Sequence, residues 1–181
     1  DPAMAHTGVG DTHGFAHGFL HPVSGVDHVM AMVAVGLLAA NLGGRALYLL
    51  PLSFLSMMTV GGILGLNAVE LPWVEMGISA SLIVLGLILA INVPLPVILA
   101  AALTGFFAIF HGHAHGAEMP EDASGLQYAL GFLLATAILH AGGIGLGLVL
   151  PRLAMAKAAR ISQACGLVMA LTGTALITGI L

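Results

Sequence analysis

Long apolar runs divided by short polar breaks dominate this chain, with segments at about 24–42, 46–69, 73–93, 95–112, 125–150 and 161–181. Each approaches the ~20 residues that a helix needs to cross a bilayer. The breaks carry turn chemistry: Asn41-Leu42-Gly43-Gly44 closes the first segment, Leu71-Pro72 opens the third, and Asn92-Val93-Pro94-Leu95-Pro96 separates the third from the fourth. Fusing those last two into one kinked span would have to bridge Pro94 and Pro96, so six crossings are expected. Residues 1–20 are too polar and glycine-rich to span, which leaves them as a histidine-containing segment ahead of a transmembrane domain at 21–181. Ala3-Met4-Ala5 has the small-x-small form of a signal-peptidase site. It predicts cleavage after Ala5 and a processed N-terminus outside the cytoplasm.

Composition turns this pattern into a class. Of 181 residues, 59% are hydrophobic and 7% charged, with a mean hydropathy of +1.09, whereas a soluble domain carries about 25% charged residues. The expectation is an all-α integral membrane protein, a single six-helix bundle with no room for a soluble domain. The few charges orient it. Arg45 falls between spans one and two, and Arg152, Lys157 and Arg160 fall between spans five and six. Basic loops stay in the cytoplasm, so both termini belong outside. The acids Asp1, Asp11, Asp27, Glu70, Glu75, Glu118, Glu121 and Asp122 all lie toward that outer side. Trp73 and Tyr128 are expected as interfacial aromatics at the same level. No basic cluster points to nucleic acid, and the lone Cys165 is expected to pack as a small apolar residue.

Glycines inside the spans, Gly61-Gly62-Ile63-Leu64-Gly65 and Gly142-Gly143-Ile144-Gly145, predict close helix packing between spans two and five. Thr59-Val60-Gly61-Gly62 also aligns with His140-Ala141-Gly142-Gly143. That alignment is a weak sign of a 3+3 inverted repeat.

Histidine is the anomaly: the chain has 9, against 4 Lys plus Arg, and all but His140 fall within 6–28 or 111–115. An ionisable group in mid-membrane costs about 2.5–3.5 kcal/mol on insertion scales, so its placement there has a use. The first group is His21-Pro22-Val23-Ser24-Gly25-Val26-Asp27-His28. Pro22 suits the first position of a helix, so the first span is expected to start there, with His21 at its cap and His28 two turns on along the same face. Met32 lies one turn further in. His17 joins that stripe only if Gly18-Phe19-Leu20 is helical, which the pattern disfavours. The alternative is that Asp27 caps or pairs while the imidazoles bond backbone groups. The second group runs His111-Gly112-His113-Ala114-His115-Gly116-Ala117-Glu118, where His111, His115 and Glu118 share one helical face and His113 points elsewhere. Its alternative is a solvated histidine-rich loop that binds metal only loosely or not at all. Imidazole with carboxylate suits nickel, cobalt and zinc. Both groups sit at outer ends, so spans one and four are expected to meet there. His140, in mid-span, is either an inner ligand or a hydrogen-bonding partner of a neighbouring helix, and His6 is a further candidate in the N-terminal segment.

At these residues the chain resembles the HupE/UreJ family of nickel and cobalt permeases encoded with hydrogenase and urease genes. The motifs are His-Pro-x-x-Gly-x-Asp-His (His21, Asp27, His28) and Phe-His-Gly-x-Ala-His-Gly-x-Glu (Phe110, His111, His115, Glu118), both complete. His113 fills a variable position of the second and is an extra ligand candidate peculiar to this sequence. The resemblance implies a multi-pass protein of the bacterial cytoplasmic membrane and a metal-transport role for His21, Asp27, His28, His111, His115 and Glu118. It further implies nickel, or cobalt, as the imported ion; zinc shares the same ligand preferences, and cytoplasmic nickel chaperones that capture the metal are candidate partners. No Gly-x4-Gly-Lys-Ser/Thr run is present, so a secondary permease rather than an ATP-driven one is expected, and not an enzyme. The alternative is a membrane protein that binds, donates or senses the ion without moving it.

Overall fold

Seven helices make up the computed structural model, which describes residues 11–119, 125–153 and 155–180. In chain order they are α1 (Asp11–Ser24), α2 (Val26–Leu42), α3 (Ala46–Leu66), α4 (Val74–Ile91), α5 (Val97–Ala117), α6 (Gly125–Leu153) and α7 (Met155–Thr178). No strand occurs among the described residues. From α3 to α7, five helices are long and apolar enough to cross a membrane, and α1 with α2 makes a sixth if the pair is taken as one broken span. The expected breaks recur. Gly43 and Gly44 turn the chain with φ of 67° and 51°, and Asn92 ends α4 in the left-handed region ahead of Pro94 and Pro96. The Ala3-Met4-Ala5 pattern and His6 lie outside the described residues.

Two boundaries differ from expectation, and both shape the functional end. First, helix extends back to Asp11, and Pro22 lies within α1 rather than at the start of a span. The break falls at extended Gly25, where the chain turns by 82°. His21 and His28 therefore sit on opposite sides of a corner and not on one helical face. Pro22 has no N–H for the Gly18 carbonyl, and α1 ends two residues later; burying α1 against α6 stabilises a stretch whose composition alone would not hold it. Gly18 abuts the backbone carbonyl of Tyr128, and Gly131 abuts that of Phe15. Second, α5 continues to Ala117, so the glycine-rich second motif is helical throughout. Its glycines are tolerated because they seat α5 on α3: a methyl added at Gly112 would strike the carbonyl of Met58, and one at Gly116 that of Gly62.

The glycine seams also join different spans from those expected. Gly61 and Gly65 of α3 face α5, while Gly143 of α6 faces Gly36 of α2. The most extensive pairings are accordingly α3 with α5, α4 with α7, and α6 with both α1 and α2. Small residues on a helix say that something approaches closely, but not what. The core between these pairs contains Met32, Val35, Leu50, Phe54, Met58, Leu82 and Leu85, all fully buried. Many large apolar side chains, among them Ile63, Leu87, Phe106, Ile138 and Leu171, face outward, as lipid-facing surfaces require. Cys165 is among the exposed residues rather than in the packing.

Candidate metal centre

The corner at Gly25 and the C-terminal end of α5 bring the two motifs together at one end of the bundle. His115 occupies the middle. Its ring centroid lies 4.7 Å from that of His21 and 4.1 Å from that of His28, and His28 in turn lies 4.8 Å from His111. Four imidazoles thus form a ladder, His21–His115–His28–His111, with rungs supplied in turn by α1, α5, α2 and α5. At its outer end Glu118 Oε2 lies 3.6 Å from His21 Nε2. One donor atom each from His21, His115 and Glu118 can be chosen so that all lie within 4.8 Å of one another, a spacing suited to a shared cation.

Hydrogen bonding then sorts the rings. His28 donates Nδ1–H to Asp27 Oδ1 at 3.1 Å, which leaves its Nε2 buried without a protein partner. A carboxylate bound to one imidazole nitrogen orients the other and raises its basicity, as in carboxylate–histidine–metal arrangements. Both ring nitrogens of His115 and the Nδ1 of His111 are likewise buried and without a protein partner. Buried polar atoms are ordinarily paired, and one lone-pair nitrogen each from His28, His115 and His111 gives a set of borderline donors suited to a divalent transition metal. The arrangement can replace part of a hydrated ion's water shell at the outer end and offer it imidazoles further in.

The walls are aromatic. Tyr128, expected at the interface, is buried, its ring 5.9 Å from that of His21, and Phe132 lies 4.3 Å from His115. The reason is α1, which folds over this part of α6 and takes the place of lipid. A cavity of about 120 Å³ between α3, α5 and α6 reaches His115 past Met58, Tyr128 and Phe132. Toward the core, Phe54 stands between His111, at 5.8 Å, and His140, at 5.0 Å. His140 is fully buried with both ring nitrogens unpartnered, and Thr136, one turn away on α6, carries an unpartnered hydroxyl.

The remaining candidates lie apart from the ladder. His113 donates Nε2–H to the carbonyl of Val69 at 2.7 Å, on the side of α5 that faces the α3–α4 connection. His17 is exposed on α1. Met32 is fully buried in the core one turn inside His28. Sequence reasoning did not reach Tyr128 and Phe132 as site walls, although their i, i+4 spacing on span five is visible in the chain. Nor did it reach Phe54 or Ser81, which carry no local signal in apolar helices; Ser81 Oγ lies 2.9 Å from His111 Nε2.

The family description "HupE / UreJ protein" matches residues 1–176. The chain belongs to the HupE/UreJ family. It is also 43% identical over 180 residues to "Protein HupE" of Rhizobium leguminosarum bv. viciae, an alignment covering 98% of this chain and 92% of that protein. No solved structure matches. Membership accords with the two complete motifs, whose His21, His28, His111 and His115 form the ladder, with Glu118 at its end and Asp27 bonded to His28.

Proposed function

We propose that this HupE/UreJ member is a secondary permease that imports Ni2+, or alternatively Co2+, across a bacterial cytoplasmic membrane for metalloenzyme maturation. The observation that carries the reading is the ladder itself: donors from α1, α2 and α5 begin at exposed Glu118 and end at fully buried His111. A protein made only to hold an ion outside would need no donors that deep. In this scheme Glu118, His21 and His115 receive the ion, His28 and His111 take it inward, and His140 is the next donor toward the cytoplasm. Asp27 serves His28 as its orienting carboxylate. Both termini lie outside, with the Arg45 loop and the basic 152–160 region in the cytoplasm. A 3+3 repeat fits the helix pairing, since exchanging spans one to three with four to six leaves the pairs two–four, one–five and three–six unchanged.

The driving force is sufficient without ATP. A divalent cation moving inward gains about 4.6 kcal/mol per 100 mV, twice the ~2.3 for a single charge, which supports roughly thousandfold accumulation. Cytoplasmic chaperones that capture the metal would steepen the gradient. The test is entry of radioactive nickel into proteoliposomes. Saturable uptake that rises with an inside-negative potential is expected, and binding without entry would reduce the protein to a metal holder or donor.

A further inference from the structure

Ser81 is fully buried on α4, a helix that supplies none of the ladder's donors and packs mainly on α7. Its Oγ lies 2.6 Å from the carbonyl of Ile78 and 2.9 Å from Nε2 of His111. A hydroxyl has one hydrogen to give. A carbonyl can only accept, and 2.6 Å is a short O–H···O distance, so that hydrogen goes to Ile78. What Ser81 has left for His111 is a lone pair, and the imidazole must donate Nε2–H into it. The reverse wiring would put the ring proton on Nδ1, which is buried with no acceptor.

We propose that Ser81 is a positioning residue: its hydroxyl accepts Nε2–H of His111 and so holds Nδ1 as the ligating nitrogen of that ring. The assignment rests on the permease reading, in which His111 receives the metal. It also distinguishes two adjacent ligands. His28 is held as the Nδ1–H tautomer by a carboxylate and presents Nε2, whereas His111 is held as the Nε2–H tautomer by a neutral hydroxyl and presents Nδ1. A carboxylate raises ligand basicity more than a hydroxyl does. His28 is therefore the stronger ligand of the pair and His111 the weaker one, a step that favours onward release over retention.

The experiment uses the full chain in nanodiscs, with imidazole nitrogens labelled with ¹⁵N and the His111 resonances identified by their loss in His111→Gln. In the metal-free wild type the His111 signals are expected to show a protonated Nε2 and an unprotonated Nδ1. Ser81→Ala should mix or invert that pattern and raise the nickel concentration for half-maximal uptake by about 10–100-fold. Ser81→Thr, which keeps the hydroxyl, should restore both. A wild-type ring protonated at Nδ1 would overturn the assignment whatever the variants do, as would a Ser81→Ala chain with unchanged spectrum and uptake. If the wild type moves no nickel, the transport reading fails, while the metal-free spectrum still decides the tautomer.

Discussion

The two histidine motifs reach the same place by opposite backbone strategies. In the first, the chain breaks: extended Gly25 turns it by 82°, and His21 and His28 approach from different helices. In the second, the chain stays helical through Gly112 and Gly116, and His111 and His115 stand one turn apart on a single buried face. The broken motif bends at an extended glycine, and α1 is held across the corner by its packing on α6. The continuous one owes its shape to α3, whose backbone the glycines of α5 touch. A glycine-rich sequence is therefore no guide by itself to where a membrane helix stops. What lies opposite the glycines decides it.

The comparison breaks most severely at the seam. Gly112→Leu should cost about 3 kcal/mol or more, the upper range for overpacking, because its side chain meets the Met58 carbonyl and not a flexible neighbour. Loss of thermal stability in detergent measures this. Gly142→Ala is the control: a methyl there meets nothing within 4 Å, so stability should hold or rise by up to about 1 kcal/mol from helix propensity. Next comes the orienting carboxylate of the broken motif. Asp27→Asn keeps the shape but replaces the carboxylate that fixes His28, and should weaken nickel half-saturation about 10–100-fold with a folded protein. Unchanged uptake would leave Asp27 without its assigned role. The smallest effect belongs to His113, which shares α5 with His111 and His115 but faces Val69. His113→Ala should leave nickel half-saturation within about twofold, and cost at most the ~1 kcal/mol of one hydrogen bond. A loss as large as that from Asp27→Asn would place His113 among the ligands after all.

Much of this was legible in the chain because the relevant physics is local. Apolar length sets where spans can lie, Pro and Gly punctuate them, and the scarcity of polar residues makes each buried imidazole conspicuous. The meeting of the two motifs was also legible, since counting spans from the basic loops puts both at one end. Pro22 misled because its fit to a helix start is a preference of one residue, whereas α1 is held by its packing along α6. Tyr128 misled for the same reason: an aromatic near a span end sits at the interface only if no other helix covers it.

By itself, then, the sequence determined that the protein spans the membrane, roughly where each helix runs, and which side chains could bind a cation. All three follow from transfer of residues into lipid and from the donor atoms those residues carry. Tertiary structure alone decided which glycine faced which helix, where the first motif bent, and that Ser81 of α4 comes within hydrogen-bond distance of His111. Those outcomes depend on contacts between residues as far apart as Ser81 and His111, and the identity of a residue does not specify its distant partner.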